Sequence, residues 1–159
     1  MSTLTHTPTG TTETADTTGT TGTTDATGTT AKRALALTRR TAWFANALFW
    51  TAFAVLEGVN HGWLAGLLAG AFFIAPDLTF LVGLRDAPHM AKGQLPPRAV
   101  PYYNTAHRAL LPVALIALYT FTPVVWAPAF AALCGWLAHI SYDRAFGYGL
   151  RTKDGFQRV

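Results

Sequence analysis

Between Ala42 and Tyr142 the chain carries four apolar stretches with hardly a charge inside them, and its charged residues are pushed to the edges of those stretches. A helix needs about 20 mostly apolar residues to cross a hydrocarbon core roughly 30 Å thick. The stretches run from about Ala42 to Gly58, Trp63 to Leu84, Tyr102 to Phe121 and Val124 to Tyr142. Asn60–Gly62 and Thr122–Pro123 read as tight turns. The link from Arg85 to Pro101 is longer and proline-rich, with Pro88, Pro96, Pro97 and Pro101. The expected fold class is all-α: an integral membrane four-helix bundle built of two hairpins.

Composition matters mainly at the N-terminus. Of the first 30 residues, 16 are Thr, mixed with Gly and acids. Such a segment has almost nothing to bury, so residues 1–31 are expected to form a disordered Thr/Gly-rich cytoplasmic tail. Residues 32–159 then form the transmembrane domain. Only 13% of the chain is charged, about half the share of a typical soluble domain. All twelve Lys and Arg residues fall on one side of a four-span arrangement, among them Lys32, Arg39, Arg85, Arg98, Arg108 and Arg151, and the two short turns hold none. The positive-inside rule puts both termini in the cytoplasm, and the expected location is a bacterial inner membrane. Trp63 and Trp126 sit at the opposite ends, as interfacial anchors do.

The net charge of +4 does not point to nucleic acid, because the basic residues flank apolar spans and make no patch of their own. Cys134 is the single cysteine, so there is neither a disulfide framework nor a cysteine metal motif; it reads as apolar filler. The first span lies behind a long polar tail and is not followed by an A-x-A site, which argues against a cleaved signal peptide.

At about 1.5 Å per residue, the orientation sets a depth for each polar residue. Asp77 lies in the cytoplasmic third of span two. Asn104 and His107 occupy the first two turns of span three. His139, Asp143 and Arg144 occupy the last turns of span four, and Asn46 is about one turn into span one. Four helices therefore bring polar groups to one layer, while Glu57 sits at the other end. His139 and Asp143 share a helix face, with Ala131 and Gly135 above them at the same spacing. Gly66 and Gly70 make a G-x-x-x-G pair on the span of Asp77, the kind of small-residue stripe along which membrane helices approach closely. Pro76 and Pro112 remove backbone donors next to the layer, and freed carbonyls there can face an ion or a side chain.

The stretches "APDLTFL" (Ala75–Leu81), "YNTAH" (Tyr103–His107) followed by Pro112, and "WLAHISYDRAFGYGLRTKDGF" (Trp136–Phe156) resemble the bacterial membrane proteins grouped as domain of unknown function 4260. The resemblance covers about Ala42 to Phe156. It implies a membrane fold and no activity. By motif, the family's polar positions fall on Asp77, Asn104, His107, His139, Asp143, Arg144, Tyr148 and Lys153. The family tends to carry a glutamate early in span one; here Asn46, in "WFANA", stands near that position.

Three functional classes follow. In the first, the layer is structural or mediates interaction, with Asp77–His107 and Asp143–Arg144 paired internally. In the second, Asp77, His107, His139 and Asp143 hold a divalent metal and activate water in a hydrolase acting on a lipid or lipid-linked phosphate; Asn104 orients a ligand and Arg144 holds a phosphate. In the third, Asp77 and the histidines serve a proton-linked carrier, which with four helices would need a homodimer. The structural class has the widest support from sequence. Lipid bilayer is the expected partner and nucleic acid is not. His61 and His89 read as solvated. "GYGLRTKDGF" reads as a cytoplasmic anchor, with Tyr148 at the interface and Arg151, Lys153 and Arg158 on anionic lipid; its glycines follow no strand, as a phosphate-binding loop would require.

Overall fold

The computed structural model describes residues 23–123 and 125–158, with side chains from residue 28 onward. Five α-helices follow in order: α1 (Thr23–His61), α2 (Trp63–Ile74), α3 (Val100–Ala106), α4 (Leu110–Phe121) and α5 (Ala127–Phe146). A 3-10 helix, Ala75–Gly83, continues α2, and a shorter one, Ala87–His89, lies in the middle link. Among the described residues there is no strand; one isolated antiparallel bridge joins Arg151 to Gln157. The chain divides into two compact units, Met1–Ala34 and Leu35–Val159. Most of the expected tail lies outside the described residues. Its last part, residues 23–31, forms the first turns of α1, in keeping with the low cost of extending a helix already nucleated.

Among the described residues two helices are long and apolar enough to cross a membrane, Gly28–His61 and Trp63–Gly83, and Leu110–Phe121 is a shorter apolar helix. Span two is not α-helical throughout. Pro76 has no N–H to offer the Phe72 carbonyl, and past Ile74 the backbone tightens into the 3-10 form. Span three, expected as one helix from Tyr102, is interrupted: α3 ends at Ala106 and α4 starts at Leu110. Pro112 denies the Arg108 carbonyl its helical donor and crowds it, so the break opens one turn before the proline. The last helix starts at Ala127, after Pro123, and runs past Tyr142 to Phe146.

The packing of the larger unit is set by small residues. Ala65 and Ala69 of α2 and Ala131 of α5 form a buried cluster, with Ala54 of α1 against it. At Gly135 the backbones of α2 and α5 come so close that a Cβ would overlap the Ala69 carbonyl. Gly66 faces Gly58 of α1. A second cluster, Leu95, Ala99, Val100 and Tyr103 with Val82, binds the middle link to α3. Large apolar side chains point outward instead, such as Leu110 (78% exposed), Phe121 (88%) and Val125 (94%).

Helix α5 ends in a Schellman motif. Gly147 adopts a left-handed conformation, φ 90°, which glycine enters without a Cβ penalty. Tyr148 N–H then donates to Asp143 O at 2.7 Å and Gly147 N–H to Arg144 O at 3.2 Å, the paired bonds that close such a cap. The chain reverses here, and its C-terminal arm folds back on the middle link.

Candidate metal centre

Four side chains predicted to share one depth meet at one point. Asp77 comes from the 3-10 helix, His107 from the break between α3 and α4, and His139 and Asp143 from successive turns of α5. The two imidazole Nε2 atoms are 3.3 Å apart. Asp77 Oδ1 lies 3.7 Å from His107 Nε2 and 3.6 Å from His139 Nε2. Asp143 Oδ2 lies 3.4 Å and 3.8 Å from the same two atoms. Asp77, His107 and His139 each offer one ligand atom, all within 4.8 Å of one another. Burial is graded: the side chain of His107 is 1% exposed, His139 8%, Asp143 22% and Asp77 52%.

The break in span three positions His107. Its N–H and its ring Nδ1 both approach Tyr103 O, at 2.9 Å each. A carbonyl can only accept, so Nδ1 carries the proton, and Nε2 of the neutral ring turns a lone pair toward the cluster. Tyr103 stacks on the His107 ring, centroids 3.8 Å apart, and the Arg151 guanidinium lies 5.5 Å from the centroid of the Tyr103 ring. Phe73 sets its edge against His139 at 5.5 Å. Two of the carbonyls that the break exposes are taken up by side chains: Trp136 Nε1 donates to Ala106 O at 2.7 Å and Arg144 Nη2 to His107 O at 2.9 Å.

The spacing suits an ion. Ligands about 2.0–2.2 Å from a tetrahedral centre lie about 3.3–3.6 Å from each other, and the pairs above span 3.3 Å to 3.8 Å. An imidazole whose remote nitrogen is fixed by a carbonyl is the usual outer support of a metal-binding histidine.

The other predicted residues lie around this centre and not in it. Asn104 holds the C-terminal arm: its Nδ2 donates to Arg151 O at 3.0 Å and its Oδ1 accepts from Arg151 N–H at 2.7 Å. Asn46 Nδ2 donates to Ser141 Oγ at 2.8 Å, joining α1 to α5. Arg144 does not pair with Asp143 and does not stand ready for a phosphate. It clamps His107 O and, through Nη1, Tyr148 O at 3.0 Å. Tyr148 contributes main-chain groups to that clamp while its side chain is exposed. Lys153 is exposed in the turn of the arm. Glu57 pairs with His61 at 3.4 Å on the far end of α1, and Cys134 is buried.

Tyr103, Trp136 and Ser141 belong to the surroundings of the site, and none is singled out by sequence. Tyr103 stacks on His107, Trp136 bonds a carbonyl freed by the broken helix, and Ser141 accepts from Asn46 while donating to Leu137 O of its own helix; residue type alone signals none of these roles.

Residues 41–159 match the model of the family described as Domain of unknown function (DUF4260). No curated protein and no solved structure matches the chain.

Proposed function

The chain belongs to the DUF4260 family, whose description assigns no chemistry, and from the geometry of the cluster we propose that it is a multi-pass membrane protein working as a metal-dependent hydrolase on a lipid-borne substrate. In this reading α1, α2 with its 3-10 continuation, the α3–α4 pair and α5 are the four spans. Residues 32–159 are the membrane domain, and both termini lie on the cytoplasmic face of a bacterial inner membrane. The outward apolar side chains support it, because exposed apolar surface of this extent marks a face meant for lipid or a partner. Gly66 packs on Gly58 of the same chain, so the glycine stripe supports an internal contact, and a homodimer would need another face.

The observation that carries the hydrolase reading is the donor set: two imidazole nitrogens and a carboxylate oxygen within 4.8 Å of one another. Structural zinc sites are built largely from cysteine, whereas two histidines and a carboxylate, with a position left open, are typical of hydrolytic sites. A divalent ion held there would polarise the scissile group and bring the pKa of a bound water down to about 7. His107 and His139 hold their nitrogens in place through the Tyr103 carbonyl and the packing of α5. Asp143, reaching both nitrogens, is the group set to take a proton from water at the open position. The half-exposed Asp77 lies on the side from which a substrate approaches.

A structural role for the layer has one observation in its favour: Asn46, Asn104 and Arg144 are all spent on tying elements together. Metal analysis of the detergent-purified protein beside Asp77→Asn and His139→Ala separates the two. About one equivalent of metal, lost in both variants together with lipid hydrolysis, is the expected result. Well-folded wild-type protein that takes up no added divalent metal would leave the structural reading standing.

A further inference from the structure

A polar cavity of about 450 Å³ opens between the middle of α1 and the C-terminal arm, and it shares no residue with the cluster of Asp77, His107, His139 and Asp143. Arg39, Arg40, Arg144 and Arg158 line it, with Trp43 and Gln157, and no acidic residue does. Four guanidinium groups around one space repel one another unless an anion sits among them.

The simplest alternative is that the arginines serve the negative end of α5, where cations are favoured. The acceptors at that end are already taken. Asp143 O and Arg144 O receive the two Schellman bonds, Gly147 O receives Gln157 Nε2, and Tyr148 O receives Arg144. Arg40 nonetheless lies against Gly147, where a Cβ would collide with its guanidinium. Among the described residues Arg39 and Arg40 have no side-chain hydrogen bond or ion pair. Arg158 is anchored through Nε to Arg151 O at 3.1 Å, and Arg144 by its two carbonyls, so two of the four charges are held on the cavity wall.

We propose that this cavity binds a phosphate-bearing anion, gripped by Arg39 and Arg40 from α1 and by Arg158 from the C-terminal arm. Guanidinium forks match phosphate oxygens two at a time, with geometry that a lysine cannot reproduce. The site stands apart from the metal reading and survives its failure. The phosphate has two sources, a lipid headgroup and the free ion.

Both are tested by titrating the detergent-purified full chain with short-chain phosphatidylglycerol and with inorganic phosphate. Wild type is expected to bind at least the lipid. R39Q/R40Q is expected to weaken that binding at least ten-fold with metal content unchanged, and R39K/R40K to recover part of the loss. Binding of the lipid alone identifies a headgroup site; equal loss for inorganic phosphate identifies a site for the free anion as well. If wild type binds neither probe, or R39Q/R40Q binds like wild type, the proposal is wrong. Should R39Q/R40Q lose its helical circular dichroism, R39K/R40K carries the test alone, and wild-type affinity in it overturns the role of the guanidinium forks.

Discussion

His107 Nε2 and His139 Nε2 face each other at 3.3 Å, one from a broken helix and one from a continuous one. Two neutral rings can share one proton across that gap, but the carboxylates of Asp77 and Asp143 crowd the same two atoms. A cation held by Asp77, His107 and His139 satisfies all three donors at once, with Asp143 beside the open position. Cobalt(II) added to the protein should therefore give the strong visible absorption of a four-coordinate site, and His139→Ala should lose it. Weak, octahedral-type absorption in the wild type would count against the centre as drawn.

Arg144 supports the centre from outside. Its two nitrogens bind carbonyls of His107 and Tyr148, and a lysine reaches one of them at most. Arg144→Lys is expected to lower metal affinity about 10- to 100-fold, the usual scale for losing outer support, while the helical circular dichroism stays intact. Competition with a chromophoric chelator measures it. Unchanged affinity would mean that His107 is held well enough by Tyr103 alone.

The crossing of α2 and α5 leaves no room at Gly135. Gly135→Ala should destabilise the protein by about 1–3 kcal/mol, the range for overpacking a tight contact, and Gly135→Leu by more. Thermal unfolding in detergent reads the effect. A melting temperature equal to wild type in both variants would show that the two helices separate at little cost.

The C-terminal arm is tied down by Asn104, which exchanges two hydrogen bonds with the backbone of Arg151, and by Gly155, whose carbonyl accepts from Leu95 N–H at 2.9 Å. Asn104→Ala should free the arm, so that trypsin cuts after Lys153 faster and the Arg151 amide exchanges faster with deuterium. Gly155→Ala should do the same, since Gly155 has φ 90° and a Cβ there would overlap Leu95 O. Wild-type protection in both variants would place the hold elsewhere in the arm.

The helical class and the convergence of Asp77, His107, His139 and Asp143 were legible in the sequence, because depth along antiparallel helices follows from residue count. The two interrupted spans were only half legible. Pro76 and Pro112 announce lost donors, yet whether a helix bends, tightens to the 3-10 form or opens depends on what satisfies the freed carbonyls. For span three those partners are Trp136 and Arg144, far along the chain. The same gap explains Asn46, Asn104 and Arg144. Their depth is right for the cluster, but amides and guanidiniums serve main-chain groups as readily as ligands, and composition does not tell the two uses apart.

The order of the four cluster residues along the chain has a consequence for synthesis. Asp77 and His107 leave the ribosome first, and together they supply only half of the cluster. His139 and Asp143 follow on α5, the last of the described helices. No metal of the kind proposed can be held until that helix has docked, so loading is a report that assembly is complete.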